Sequence, residues 1–301
     1  MVMDHNAELK EFLRTRRARL RVDDVELGGS GRVRRVPGLR REEVAQLAGV
    51  SVDYYTRLEQ GRHLNVSDEV LDAVARALRL DDVERAYLFE IARRRTRRAR
   101  RRPAPVQRVR PGVRRILETL DDITPAFVFG RRMDLLAANR LAKALMGDFL
   151  AKALMGDFDA LPPRERNLMR FTFLDETARE LFADWEQIAR DNVAVLRLDA
   201  GRHPDDPLLA ELVGELAVKS EEFRRWWADH NVRERTHGTK HYHHPLVGDL
   251  TVNYEAVPVA GDPDQTLCIY TTEPGSPSET AMRLLANWTG APAADAALHT
   301  P

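Results

Sequence analysis

Residues 39–62 read LRREEVAQLAGVSVDYYTRLEQGR, and this stretch decides the fold of the N-terminal third. Val44, Leu47 and Ala48 fall on one helical face, with Glu42 and Glu43 in a first turn whose dipole favours acids. Gly49 tolerates the positive φ that a tight reversal needs. Ser51 can accept a bond from an early backbone N–H of the next helix, whose inward face is Tyr55 and Leu58. Gly61 stands where helices end in a left-handed residue, and Ala45 is small enough for two helices to cross closely. The spacing therefore predicts a helix, a tight turn and a second, capped helix.

Flanking segments extend the pattern. AELKEFLRTRRARL (7–20) places Leu9, Phe12, Leu13, Arg16 and Leu20 at helical spacing, with the arginines expected in water. Residues 22–38 read as a loop by their glycines and the Pro37-Gly38 pair. SDEVLDAVARALRL (67–80) predicts an amphipathic helix capped by Ser67, and DVERAYLFEIA (82–92) a fifth helix.

These features resemble the lambda-repressor-like, XRE-type helix-turn-helix domains over residues 6–92. The resemblance implies an all-α domain bound to double-stranded DNA, with Ser51 to Gln60 as the recognition helix. By position it implies base contacts from Val52, Asp53 and Arg57, and phosphate contacts from Arg40, Ser51, Tyr54, Gln60 and Arg62. Asp53 also stands four residues before Arg57, so it can orient that side chain instead of reading a base. One such helix reads only a few base pairs, so a homodimer on two half-sites is expected.

Charge is uneven along the chain. Residues 1–110 hold 26 Lys+Arg and 17 Asp+Glu, the remainder 21 and 30, for a formal net charge of zero. A polyanion is thus expected at the N-terminal part. Residues 93–110 carry ten arginines and no acid, a linker that either stays solvated or clamps the DNA backbone; Pro103 and Pro105 break any helix there. Boundaries are read as a helix-turn-helix domain over 1–92, an Arg-rich linker over 93–111, a second domain over 112–290 and a tail over 291–301.

The second domain begins with a short amphipathic helix at 113–120 and two brief strands, AFVFG (126–130) and DLLAA (134–138). Helical patterns then run from 166 to 232. Strands return in KHYHHPLVG (240–248), DLTVNYEAVPV (249–259) and QTLCIYTTEP (265–274), with Asp262 to Gln265 expected as a turn, before a last helix from Ser278 to Trp288. Strands at both ends around inserted helices predict an α+β domain. Cys268, alone of its kind, reads as a small buried hydrophobe. The nine residues LAKALMGDF occur twice, at 141–149 and 150–158. A continuous helix would turn the two copies to opposite sides, so one copy is expected in the native position and the other as an insertion.

RRMDLLAANRLAKAL, RHPDDPLLAELVGEL, SEEFRRWWADHNVR and KHYHHPLVGDLTVNYEAV resemble the ligand-binding domain of MmyB-like transcription regulators over 112–273. That resemblance implies a PAS-like domain and a small apolar, fatty-acid-like effector. Aromatic residues suited to line such a pocket are Phe127, Phe129, Phe171, Phe173 and Trp185, with Leu136 beside them, and further on Trp226, Trp227 and Tyr254. Arg197 or His230 would meet an acidic head group. The implied protein is a cytoplasmic one-component transcription regulator that uses no cofactor and performs no catalysis. Two rivals remain. His241 and His243 share a strand face beside His244, a spacing that suits a metal-dependent enzyme, although no phosphate loop or nucleophile motif accompanies them. The helix-turn-helix could also bind a protein partner instead of DNA.

Overall fold

The computed structural model describes residues 5–21, 38–62, 66–93, 107–120, 123–146 and 162–290. The Arg-rich linker from 94 to 106, the tail beyond 290 and the second copy of the repeat lie outside them. The chain divides into two compact units, one of residues 1–104 with 193–234, the other of 105–192 with 235–301.

The first unit is helical: α1 (His5–Arg19), α2 (Arg41–Leu47), α3 (Val52–Glu59), α4 (Asp68–Ala77) and α5 (Asp82–Arg93). Their apolar stripes meet in one core that contains Leu9, Phe12, Val44, Ala45, Tyr55, Leu58, Leu71 and Leu88. Fixed caps start the helices where the sequence places them: Ser51 Oγ accepts from the Tyr54 N–H and Ser67 Oγ from that of Val70. Gly49 (φ 66°) and Gly61 (φ 67°) occupy the left-handed region at the ends of α2 and α3.

One expectation about α1 fails. Arg16 and Arg17 do not face water. Arg16 is 1% exposed and pairs with Glu84 at 2.9 Å, while Arg17 pairs with the buried Glu59 at 2.8 Å. Helical spacing puts position 16 on the same stripe as Leu9, Phe12 and Leu13, and a long side chain there needs a buried acid to satisfy it.

The same unit also contains the C-terminal half of α10 (Trp185–Arg202), then α11 (Pro207–Lys219) and α12 (Glu221–Ala228). Leu198 and Val232 join the core of the five N-terminal helices. Gly201 packs against the Tyr87 ring so closely that a Cβ would lie 2.0 Å from it. Residues 193–234, read from sequence as part of the second domain, thus group with α1 to α5.

The second unit is α+β. Its elements are α6 (Pro111–Thr119), β1 (Ala126–Phe129), β2 (Leu135–Ala138), α7 (Arg140–Leu145), α8 (Leu168–Leu174), α9 (Thr177–Leu181), β3 (His237–His244), β4 (Gly248–Val259), β5 (Asp262–Thr271) and α13 (Pro277–Gly290), with the first half of α10. The strands form one antiparallel sheet in the order β2-β1-β5-β4-β3, which agrees with the α+β, PAS-like expectation. Alternation sorts its two faces. Val128 and Ala137 pack with Val113 and Leu117 of α6, while Phe127, Cys268, Tyr254, Lys240 and Tyr242 follow one another on the opposite face through the register Phe127↔Cys268, Tyr254↔Tyr270 and Tyr242↔Leu250.

The β4–β5 turn is shorter than expected. Asp262 to Gln265 belong to β5, and the reversal is made by Ala260 and Gly261 (φ 86°) with Val259 paired to Asp262. A glycine at positive φ closes a two-residue hairpin, so the Asp-Pro-Asp signal that follows does not need to turn. Of the repeat, Leu141 to Met146 are described: Leu141 to Leu145 belong to α7, which Asn139 caps and which is buried at Leu141, Ala142 and Leu145, and Met146 ends it.

Candidate functional site

Two sites take shape, one in each unit. In the first, α3 stands out from the helical core with its N-terminus toward solvent. Ser51, Val52 and Asp53 are exposed, as is Arg57 one turn later. Asp53 and Arg57 form an ion pair at i, i+4, so the arginine is held rather than free. Around them, Arg62 is exposed and Arg40, Tyr54 and Gln60 are partly exposed. Arg40 opens α2, its backbone N–H donating to the Glu43 carboxylate at 2.6 Å. Seven of the eight residues that the sequence proposes for DNA therefore lie on α3 or directly beside its ends, and the eighth, Arg40, stands at the start of α2.

Position is given to this surface by a residue that sequence reading did not single out. Glu59, 1% exposed, accepts from Arg17 at 2.8 Å and from Arg41 at 2.9 Å. It ties α3 to α1 and to the start of α2. Burial alone would raise its carboxyl, but the hydrogen bond and charge of Arg17, followed by Arg41, hold it below the ordinary range. Burial and then the Glu59 charge push the neighbouring Tyr55 phenol up. The signal was available: 55, 58 and 59 share a face by i, i+3, i+4 spacing, so Glu59 falls among the core positions.

In the second unit the aromatic residues gather on the sheet face opposite α6 and on the helices after it. Phe127 stacks on Phe129 at 5.7 Å and meets Tyr270 at 5.1 Å, which in turn meets Tyr254 at 5.9 Å. Phe171 contacts Phe182 edge-on at 6.0 Å and Phe173 contacts Trp185 at 6.1 Å. Trp185 donates its indole N–H to the Thr172 carbonyl at 2.9 Å. Six of the ten proposed pocket residues are thus in this unit.

The other four belong to the first unit. Arg197 pairs with Glu8 at 2.8 Å and lies 3.8 Å over the Trp227 ring; His230 Nδ1 is 3.1 Å from Glu8; Trp226 is buried on α12. Tyr87 donates to Glu8 at 2.7 Å. Burial by itself would raise the Glu8 carboxyl, yet the His230 hydrogen bond and the Arg197 charge bring it to about 2. Both residues proposed for an acidic head group are engaged by this one buried carboxylate.

What the aromatic face holds instead is Lys240. It is buried, donates to the Tyr270 hydroxyl at 2.7 Å, and is brought down to about 7 by burial and by the charge of Arg235. Strand alternation gives the signal, since Lys240 shares its phase with Tyr242 and His244.

The histidines divide across β3. His244 turns inward and its Nε2 is 3.0 Å from the Ala144 carbonyl. His241 and His243 face out beside a hollow of about 580 Å³, where His243 meets Asp249 at 2.7 Å and His241 meets Thr251 at 3.1 Å. Among the described residues no group of three His, Cys, Asp or Glu side chains is placed to hold a metal ion. Nor is any described helix long and apolar enough to cross a membrane.

Comparison with known proteins accords with this geometry. None of the curated proteins matches the chain. A helix-turn-helix domain family matches residues 8–88, which contain most of α1, all of α2 to α4 and most of α5. Residues 109–285 match the MmyB-like transcription regulator ligand binding domain, a span that contains the sheet, the aromatic face and helices α10 to α12. With a helix-turn-helix in front and that domain over more than half of its length, the chain belongs to the MmyB-like transcription regulators.

Proposed function

We propose that the protein is a one-component, sequence-specific DNA-binding regulator whose second domain senses a small apolar molecule and changes operator affinity in response. The observation that carries the DNA half is α3: a capped helix with Val52, Asp53 and Arg57 exposed on one side and Tyr55, Leu58 and Glu59 buried on the other. In a major groove Arg57 pairs with a guanine edge, Val52 touches a thymine methyl, and Asp53 orients Arg57. Arg40, Ser51, Tyr54, Gln60 and Arg62 hold phosphates on either side. The aromatic face of the sheet supports the sensing half. A homodimer places two recognition helices about 34 Å, or a multiple of that, apart along the duplex. The protein works in the cytoplasm and needs no catalytic step.

The test is an electrophoretic shift titration of operator and random DNA at increasing salt. Arg57→Ala is expected to cost roughly 1–3 kcal/mol on operator DNA and far less on random DNA. Equal losses on both would remove Arg57 from the base-reading role. Neutralising the arginines of 93–102 should weaken both DNAs alike and flatten the salt slope. Sensing is tested separately, by mass spectrometry of the small molecule that copurifies with the full chain.

A further inference from the structure

The last helix, α13, is apolar on two sides. Ala281, Met282, Leu285 and Ala286 are buried where it packs on α7 and β4. On the other side Thr280, Arg283, Leu284, Asn287 and Trp288 face out, with Leu284 58% and Trp288 63% exposed. Trp288 is the one aromatic side chain among the large apolar residues that the described part of the chain leaves exposed, whereas Trp185 and Trp226 are buried. Ile123, 62% exposed, borders the same helix across a hollow of about 150 Å³ that Met282 and Arg283 also line. The single charge on the outer side, Arg283, pairs with Glu279 at 2.8 Å one turn back, so this face carries no net charge.

A leucine and a tryptophan one turn apart on the outside of a helix add nothing to the core beneath it. Covering them with another apolar surface removes from water the area that folding has left there. The sizes of the side chains indicate what covers them. Thr280, Leu284 and Trp288 form one i, i+4 row that runs small, medium, large. Two such rows laid antiparallel with Leu284 at the centre set the Trp288 of each copy, about 6 Å from that centre, over the Thr280 of the other. Large then meets small at both ends. A parallel alignment would put tryptophan on tryptophan at one end and leave a gap between threonines at the other. A strongly charged partner finds no counter-charge here, because Glu279 already matches Arg283.

We infer that the outer face of α13 is a self-association surface whose partner is a second copy of this chain, paired antiparallel about a two-fold axis at Leu284. The contact is isologous: each copy gives the other the same residues and receives the same in return. Leu284 and Trp288 form its centre, and Thr280 and Asn287 complete the row. The inference rests on the reading of the protein as a homodimer on two half-sites and adds to it the surface that holds the copies together. It places that surface in the second unit, away from α3, so association leaves the recognition helices free for DNA.

The test is sedimentation equilibrium of the full chain from about 1 to 100 µM, the range suited to a small interface. The wild type is expected to be dimeric at the upper end, and Leu284→Glu and Trp288→Ala each to raise the dissociation constant at least about tenfold, as residues at the centre of an interface do. Both side chains are exposed, so the far-ultraviolet circular dichroism of either variant should match wild type. Added salt should not weaken the wild-type dimer, since no ion pair spans the contact. Disulfide trapping under mild oxidation reads the geometry. Leu284→Cys should cross-link to its own counterpart, because the two Cα atoms face each other across the axis, whereas Thr280→Cys, about 12 Å from its counterpart along the pair, should not. Cys268 is buried and does not compete. Equal trapping of both cysteines overturns the antiparallel pairing. A dimer that neither Leu284→Glu nor Trp288→Ala weakens overturns this surface and leaves the homodimer reading in place. A wild type that stays monomeric throughout overturns both, and if the chain ending at Gly290 then dimerises, residues 291–301 are what covers Trp288.

Discussion

Glu59 illustrates how one side chain governs a surface it does not belong to. Two guanidiniums, on α1 and at the start of α2, close on a carboxylate that α3 carries into the core. Removing that carboxylate leaves Arg17 with a buried charge and no counter-ion, so Glu59→Ala is expected to cost about 3–5 kcal/mol of folding stability, read as a fall in the denaturant midpoint. Glu59→Gln keeps the volume and should still lose most of that amount. Glu8 gives a pH signature. Its folded-state value, about 2, lies below the ordinary 4.5, so its contribution is present above pH 4.5 and disappears as pH falls toward 2. The stability difference between wild type and Glu8→Gln should therefore shrink across that window in denaturation curves taken at successive pH values, and a constant difference would contradict it. Residues such as Ser51, Gly49 and Gly61 were legible in the sequence because their chemistry is local: a cap or a positive φ needs only the neighbouring backbone. Glu8, Glu59 and Lys240 were not, because a buried charge is explained by partners far along the chain, 189 residues away for Glu8 and Arg197.

Elements were legible to the degree that their pattern is self-contained. The five N-terminal helices and the five strands follow from periods of 3.6 and 2, and the order of the strands in the sheet does not, because pairing of β1 with β5 depends on more than a hundred intervening residues. The β4–β5 turn was misplaced for a related reason: Asp262-Pro263-Asp264 has turn composition, but Gly261 had already made the reversal, and Pro263 is accommodated within β5. Gly261→Val should accordingly cost about 1–3 kcal/mol through its left-handed backbone, measurable by thermal melting. The repeat belongs to this scale as well. The first copy supplies α7, whose Leu141, Ala142, Ala144 and Leu145 are buried and whose cap is Asn139, a residue outside the duplicated phrase. Since those positions are filled from 141–145, deletion of residues 150–158 is expected to leave the melting temperature unchanged or raise it. A large drop would show that the second copy is integral to the domain.

At the scale of the molecule, the boundary read from composition and the division into compact units differ over residues 193–234. The Arg-rich run marks a linker by its charge, and nothing in the apolar spacing of α11 or α12 says which core those helices join. Periodicity identifies the face that is buried; it does not identify what buries it. The decisive contacts are specific, two of them polar and one of packing: Arg197 to Glu8, Arg16 to the carbonyls of Asp229 and His230 at 3.4 and 2.5 Å, and the flush approach of Gly201 to Tyr87. α10 is one uninterrupted helix of 18 residues, and the division of the chain falls within it, after Asn192. The helices that build the DNA-binding unit therefore include a segment that the ligand-domain family claims by sequence. A double-mutant cycle tests whether that segment is energetically part of the unit. Arg197→Met alone strands the Glu8 carboxylate and should cost about 3–5 kcal/mol; Glu8→Gln alone strands the guanidinium and should cost a similar amount. The double variant removes both charges, and its loss should fall well short of the sum, giving a coupling of at least about 1 kcal/mol. Strict additivity in urea denaturation of the full chain would mean that 193–234 contributes packing alone, and that the buried pair does not join the two stretches of sequence into one cooperative body.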